Sequence, residues 1–510
     1  MKKHFTLLSL LFAFSQVNAQ CNYRMNMDYN STSALINVNG FFFRDMANGL
    51  GTYTPIKQSG LTTIFQSSFS ISGKDINDQD HMSIITYDGS DFTCGPIAAN
   101  YSDQNYTTNL SNRIWSVYRV EIDQHIQNWN TPSYIVPPSI QQWPGNGDVS
   151  NGMSSKLAPY TDANGNGMYD PENGDFPDIL GDQAMYLVMN DQNNNEFPST
   201  SPMNVELHYM FYQFATADPL NRVTFANVKV YNKSQETYND VKFNAFNDFD
   251  LGNYNDDYCG VDVPRNLVYV YNGDNNDEAN AGRPGFGANP PAMGMISLNH
   301  PLISSVFPGN VIMPNPNAEF LNVINGKNPN GTAVMNGGNP TVFQYSDTSN
   351  TGYNEASLGN PPGDRRIFSS VSLGTLSPNS VKCMDFAWVF ARKTTGTSLF
   401  KSVDSLMKVT DFVQNFYNNT NYCTDGTLQT ETLQAGKFEI YPNPSNGEIT
   451  CTADQNLEGI EVWNMEGKLI RTVQVDGKQT NLDLSQLTAG VYLIKLSTAD
   501  ETKIMPFYKQ

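Results

Sequence analysis

The chain has 510 residues, enough for roughly two to four domains with interiors that need no disulfide scaffold. Its 30 lysines and arginines against 50 aspartates and glutamates leave a net charge of −20, which repels polyanions and excludes nucleic acid as a partner. Only 16% of residues are charged, and the abundance of Asn, Gly, Ser, Thr and Tyr favours turn-rich β-structure, so the acid excess reads as solubility together with cation sites.

The first nineteen residues combine the basic start Met1-Lys2-Lys3, an apolar run from Phe5 to Phe14 and a small-residue end at Val17-Asn18-Ala19, the pattern of a cleavable signal peptide (1–19). Loss of Lys2 and Lys3 takes the charge from −20 to −22. The apolar run falls well short of the ~20 residues of a bilayer-spanning helix, and no other stretch approaches that length, so no transmembrane segment is expected. Cys21 lacks the leucine and small residue that precede a lipidated cysteine. Six cysteines (Cys21, Cys94, Cys259, Cys383, Cys423, Cys451) include no CxxC pair, which removes support for zinc-ribbon and thioredoxin chemistry. Disulfides are permitted on an export route, but sequence leaves every pairing open.

Residues 20–425 read as a β-rich passenger of one or two sandwich-like domains, with a subdivision near 150–200 left open. Short apolar and aromatic alternations recur at Leu35–Phe43, Leu61–Ile71, Met82–Tyr87, Met185–Met189, Val205–Phe214, Val223–Tyr231, Val241–Phe249, Leu267–Tyr271 and Cys383–Phe390, punctuated by Gly, Asn and Pro.

The sharpest local motif is Asp162-Ala163-Asn164-Gly165-Asn166-Gly167-Met168-Tyr169-Asp170. Asp162, Asn164, Asn166 and Asp170 place side-chain oxygens at loop positions 1, 3, 5 and 9, Gly167 stands at 6, and the Met168 carbonyl is available at 7, the oxygen spacing of a calcium loop. Glycine serves where the chain turns sharply around an ion. Position 12 is Asn173 rather than Glu, so a closing acid must come from Glu172 or Asp175, and Pro171 argues against an ordinary helix-flanked loop. A weaker second calcium site is expected where Asp248, Asp250, Asp256, Asp257 and Asp262 crowd into fifteen residues, because unpaired carboxylates at close quarters repel. Asp274–Glu278 and Asp191–Glu196 read as exposed turns.

Catalytic signatures are sparse. Past the signal four histidines are scattered singly, at His81, His125, His208 and His300, with neither an HExxH nor a GxSxG motif. A nucleophile pair of Cys94 or Cys259 with His208 is a guess that any such chain admits. A glycosidase needs only two acids at the right separation in space, which sequence does not exclude. Trp115, Trp129 and Trp143 suit sugar stacking or core packing, with the core the more ordinary fate of large aromatics.

One amphipathic helix is predicted near 398–417, with Leu399, Val403, Leu406, Met407, Thr410, Val413, Phe416 and Tyr417 on one stripe for packing onto a sheet. Residues 426–436 read as a linker. From Phe438 onward about seven short β-runs alternate with Asn446-Gly447, Glu466-Gly467, Asp476-Gly477 and Ala489-Gly490, the pattern of a small immunoglobulin-like sandwich over 437–510. Cys451 falls in one of these strands, where a buried free thiol is expected.

Tyr441-Pro442-Asn443-Pro444 with Asn446-Gly447, then Val462-Trp463-Asn464-Met465-Glu466-Gly467-Lys468, then Leu482-Asp483-Leu484-Ser485 through Ala489-Gly490-Val491-Tyr492, resembles the type A C-terminal sorting domain of the type IX secretion system. The resemblance implies recognition by the secretion machinery, passage through the periplasm and arrival at the outer surface or in the medium, with the tail commonly removed and the cargo released or attached to lipopolysaccharide. Pro506 departs from the usual unbroken last strand, and because proline removes a ladder donor it places that strand at an edge. The passenger resembles secreted proteins carrying the same tag, through Tyr53-Thr54-Pro55, Tyr87–Pro96, Trp143-Pro144-Gly145, Leu157–Asp162, Gly181-Asp182-Gln183 and Asp248–Asp274. That likeness implies one integrated passenger and adds no chemistry. The expected function is a non-enzymatic, calcium-stabilised binding, adhesion or structural protein whose partners are glycans or surface proteins. The alternative is a secreted polysaccharide hydrolase using a carboxylate pair, and a cleft with two such acids beside aromatic rings separates the two.

Overall fold

The computed structural model describes residues 21–192, 196–197, 200–280, 282–309, 313–316, 318–349, 351–420, 423, 426–427, 438–464, 468–498 and 502–510. The expected signal peptide and most of the expected linker lie outside the described residues. Residues up to 428 form one compact unit and those from 429 a second.

The fold is mainly β. The strands of the first unit that matter here are β1 (Gln66–Lys74), β2 (Asp80–Ser83), β3 (Trp115–Tyr118), β4 (Gln183–Asn190), β5 (Val205–Gln213), β6 (Thr224–Asn232) and β7 (Tyr238–Phe249). They continue with β8 (Asp257–Asp262), β9 (Leu267–Asn272), β10 (Ala292–Ser297), β11 (Leu302–Val306), β12 (Arg365–Leu376) and β13 (Ser380–Ala391). A five-stranded sheet runs β11-β12-β7-β1-β2, and a ten-stranded sheet runs β8-β9-β10-β13-β6-β5-β4 before Thr93–Cys94, with β3 also on β4 and Gly426–Thr427 on β13.

The two sheets pack face to face over one core, in which Phe69 and Phe243 of the small sheet meet Tyr209, Phe211, Phe386 and Trp388 of the large one. Each such ring contributes on the order of 2 kcal/mol by burial. The large sheet is buried on its other face as well. Successive side chains point to opposite faces, so Met185, Leu187 and Met189 enter the first core while Ala184, Tyr186 and Val188 enter a second. That second core is roofed by α1 (Arg119–Asn128), α2 (Lys401–Asn418) and the segment around 140–180. Helix α2 buries Val403, Leu406, Thr410, Val413 and Tyr417, as its stripe predicts, although it starts three residues later than expected.

Cys21 pairs with Cys94 and Cys383 with Cys423, while Cys259 and Cys451 are buried free thiols. Cys94 is thereby removed as a nucleophile, and burial pushes the Cys259 thiol well above its ordinary value, which leaves the cysteine–histidine pair without support.

The second unit has its own core, with Ile449, Cys451, Ile460, Val462, Ile494, Leu496 and Phe507 at its centre. The strands are β14 (Glu439–Tyr441), β15 (Glu448–Asn464), β16 (Leu469–Asp483), β17 (Gly490–Thr498) and β18 (Thr502–Lys509). Among the described residues five strands stand in place of the expected seven, because two pairs of runs are continuous through β15 and β16, with register shifts between Thr452 and Leu457 marking the bend. Among the described residues β18 ends the strand order beside β17, with one isolated bridge from Lys509 to Ser445 on its other side, so Pro506 lies on an edge as expected.

The sorting motifs meet in this unit. Asn443 Nδ2 donates to the Pro506 carbonyl at 2.7 Å, and Asn443 Oδ1 accepts from Tyr508 N–H at 2.8 Å, so one amide spans the interruption. Gly447 is left-handed (φ 119°), and a Cβ there would sit 2.5 Å from the Ser485 backbone, which ties Asn446-Gly447 to Leu482–Ser485.

Candidate functional site

The 162–170 loop is drawn inward by its own side chains. Asp162 Oδ1 accepts from Gly165 and Asn166 N–H at 2.7 and 3.2 Å, and its Oδ2 from Gly167 N–H at 2.7 Å. Asn164 Oδ1 accepts from Asn166 N–H at 2.9 Å, and Asn166 Oδ1 from Met168 N–H at 2.8 Å. These bonds turn the oxygens at positions 1, 3 and 5 toward the loop interior. Gly165 and Gly167 adopt φ of 74° and 79° with open space around them, so glycine answers a backbone demand here rather than a packing one.

Asp170 accepts from the side chains of Asn164, Asn166 and Asn173 at 2.7, 2.9 and 2.8 Å, which hold its carboxyl below the ordinary range. Asp175 is fully buried and closes the loop: Oδ1 accepts from Ala163 N–H and Oδ2 from Asp170 N–H, at 2.8 and 2.9 Å. Burial pushes its carboxyl up. Of the two candidate closing acids the fold brings Asp175 to the loop, while Glu172 is exposed in a single 3-10 turn.

Beside the loop is a groove of about 560 Å³, lined by Asn105, Asn109, Gln141, Gln142, Asp148, the loop residue Asp170 and Glu172 of the following turn, with the buried Trp115 and Trp143 also in its lining. Asn146 joins groove to loop, accepting from Tyr169 N–H and donating to its carbonyl at 2.8 and 2.9 Å. Trp115 and Trp143 are core residues, 8% and 3% exposed, and Trp143 Nε1 donates to the Pro159 carbonyl. Trp129 is half-exposed and lies against Gly174.

The second acidic run divides. Asp248, near the end of β7, and Asp250, just beyond it, share a cavity of about 320 Å³ with Asp364, Arg44, Arg283, Arg366, Tyr87, Tyr254 and Phe65. The Tyr87 hydroxyl donates to Asp248 Oδ2, and Arg366 Nη2 donates to Asp364 Oδ2 at 2.7 Å. Burial raises all three carboxyls: Asp248 well above the ordinary range, helped by Asp250 and Asp364, Asp250 to about 7, and Asp364 against the pull of Arg366. Asp256 and Asp257 instead neighbour Asp277, and Asp257 Oδ2 accepts from Leu251 N–H. Asp262 caps the turn Val263–Arg265 and pairs with Arg265 at 2.9 Å. Of the five acids Asp248 and Asp250 line this cavity, and Asp256, Asp257 and Asp262 are not in its lining.

Two expected surface turns carry buried acids. Asp191 is fully buried and accepts from Ser83 Oγ, Met203 N–H and Val205 N–H. Asp277 is 1% exposed and accepts from Asn253 and Phe286 N–H. Both carboxylates accept from buried backbone donors. Sequence reasoning missed Asp364 and Arg366, which the pairing of β12 with β7 brings to Asp248, and Arg44 and Arg283, which reach the cavity from separate segments. It also missed Glu206, whose Oε1 lies 2.6 Å from His208 Nε2, with the Tyr186 hydroxyl 2.5 Å from Nδ1. An alternation that places Glu206 and His208 on one face of β5 was the available signal.

Among the described residues the chain is a layered β body followed by a second compact unit of five strands. Residues 439–508 match the family of the secretion system C-terminal sorting domain, the type IX tag. The protein is accordingly sorted by the type IX machinery toward the cell surface or extracellular space. Among the described residues no helix is long and apolar enough to cross a membrane. No curated protein matches the chain. Among solved structures, a polysaccharide lyase is similar at 8% identity and a TM-score of 0.18, over 60% of this chain and 34% of that one. The BSP domain of a biofilm-associated protein is similar at 9% and 0.13, over 64% of this chain and 59% of the other. The chain thus spans less than two thirds of either, and neither likeness amounts to a shared fold.

Proposed function

We propose that the body is a non-enzymatic, calcium-stabilised binding protein that engages glycans at the cell surface. Export begins with removal of residues 1–19, and surface lipopolysaccharide is the anchor where the cargo is retained. Asp162, Asn164, Asn166, the Met168 carbonyl and Asp170 are the residues that would hold calcium, with Asp175 as the acid that closes the loop. Their donor set is all oxygen, which suits this hard cation. When bound, the ion supplies rigidity rather than reactivity.

The observation that carries the reading is the shared wall: Asp170 and Glu172 belong both to the loop segment and to the groove. Fixing the loop fixes that wall and sets the spacing of the carboxylates against the amides of Asn105, Asn109, Gln141 and Gln142. Amide and carboxylate groups on one open surface suit the paired donors and acceptors of sugar hydroxyls. A glycan array probed with the calcium-loaded protein, run beside a polysaccharide hydrolysis screen, tests this. Binding without product formation, weakened by chelator, is expected.

One observation favours a polysaccharide hydrolase instead. Asp248, Asp250 and Asp364 share a cavity with aromatic rings, and an acid at about 7 suits general acid catalysis. This reading ranks second, because about 320 Å³ is at the floor of the range for small-molecule sites and three arginines crowd the acids. Hydrolysis lost in Asp250→Asn would reverse the ranking.

A further inference from the structure

We infer that the cavity at the end of β7 and the start of β12 is a second hard-cation site, with Asp248, Asp250 and Asp364 as its protein ligands. The strand register builds it. In the antiparallel ladder Asp248 faces Arg366 and Phe249 faces Arg365. Asp250 and Asp364 follow directly beyond this last pair of the ladder. Side chains two apart share a face, so all three carboxylates reach the same side, and one oxygen from each lies within 4.8 Å of the others.

One oxygen of each of two carboxylates is engaged: Asp248 Oδ2 receives the Tyr87 hydroxyl and Asp364 Oδ2 receives Arg366 Nη2. The other oxygen of each, Asp248 Oδ1 and Asp364 Oδ1, is buried with no hydrogen-bond partner. Asp248 is 3% exposed and Asp250 5%, so bulk water does not satisfy them. Their nearest cations are Arg366 Nε, 3.7 Å from Asp248 Oδ1, and Arg283 Nη1, 3.7 Å from Asp250 Oδ2, both beyond hydrogen-bond reach. Arg366 thus bonds to Asp364 Oδ2 and, with Arg283, balances the formal charge, yet neither donates to Asp248 Oδ1 or Asp364 Oδ1.

An unpartnered carboxylate oxygen in a protein interior is costly, and three carboxylates that converge repel one another. A cation at their focus removes both costs. With only oxygen available, the class is a hard divalent ion such as calcium or magnesium. Three carboxylates do not complete the six to eight oxygens that calcium takes, and the cavity volume of about 320 Å³ leaves room for waters or ligand hydroxyls to supply the rest. The inference is independent of the calcium loop and replaces the expected grouping with Asp256, Asp257 and Asp262.

Equilibrium dialysis of the full chain against radioactive calcium, for wild type, Asp364→Asn, Asp250→Asn and Asp162→Ala, tests it. The two cavity variants are expected each to lose one equivalent of calcium or bind it at least tenfold more weakly, while Asp162→Ala retains that equivalent. Folded cavity variants, judged by circular dichroism, that bind as wild type would overturn the inference. Should neither variant fold, wild-type crystals grown with manganese decide: an anomalous peak among the three carboxylates is expected, and a map without one there refutes the site. Loss of binding in the cavity variants with none in Asp162→Ala would overturn the loop reading alone.

Discussion

The backbone N–H of Asp170 donates to the buried carboxylate of Asp175 at 2.9 Å, so the residue that ends the loop is held from five positions further along the chain. The same carboxylate accepts from Ala163 N–H at the loop's start. Replacing Asp175 by Ala removes the acceptor of two backbone donors, each costing roughly 1–3 kcal/mol when left unmet. Urea unfolding in calcium is expected to show a loss of about 2–4 kcal/mol for Asp175→Ala. Exposed Glu172→Ala should stay within about 0.5 kcal/mol of wild type.

Asp385 gives a pH signature distant from either proposed ion. It is fully buried, accepts from the Tyr417 hydroxyl at 2.7 Å and from Asn227 Nδ2 at 2.9 Å, and burial pushes it up from 3.8 to about 6. The folded state therefore holds the proton more tightly than the unfolded chain. This contribution is fully present below the unfolded value and is lost as pH rises through about 6. At about 1.4 kcal/mol per unit, it amounts to roughly 3 kcal/mol. The stability of wild type relative to Asp385→Asn should fall by an amount of that order between pH 4 and pH 7, measured by denaturant titration at each pH. A difference that does not change with pH would contradict it.

The groove makes a separable prediction. Gln141 and Gln142 are exposed on its wall and lie outside the loop's hydrogen-bond ring. Gln141→Ala with Gln142→Ala should weaken glycan affinity about five- to tenfold, the loss of one or two net hydrogen bonds. The thermal midpoint should hardly move. Glycan titration against an array hit, beside differential scanning calorimetry, checks both.

For the tail, deletion of residues 437–510 should trap the cargo in the periplasm of its host, read by cell fractionation and immunoblot. Gly447→Val should impair export in the same direction, because any Cβ at that position meets the Ser485 backbone at 2.5 Å. Normal extracellular levels of the deleted form would count against the address.

Local features were legible in sequence wherever local chemistry sets them. The α2 stripe, the strand cores of the passenger and the edge position of Pro506 follow from periodicity or from one residue's hydrogen-bonding capacity, whereas the sorting motifs were legible by their resemblance to a known family. The boundaries within β15 and β16 did not, because a bulge bends a strand without ending it, and turn-forming residues there look like breaks. Non-local pairing was out of reach for a different reason. Asp364 joins Asp248 and Asp250 only through the register of β7 against β12, and nothing near Asp364 marks it as a partner. Likewise Asp191 and Asp277 look like surface turns until neighbouring segments supply the backbone donors that they accept.

The central claim is that calcium orders the 162–175 segment and, through it, one wall of the groove. Hydrogen exchange of a peptide spanning 160–176, in calcium and in chelator, tests it most directly. Slower exchange at Gly165, Asn166 and Gly167 in calcium, absent in Asp162→Ala, is the expected result, and wild-type exchange that is the same in both conditions would contradict the account.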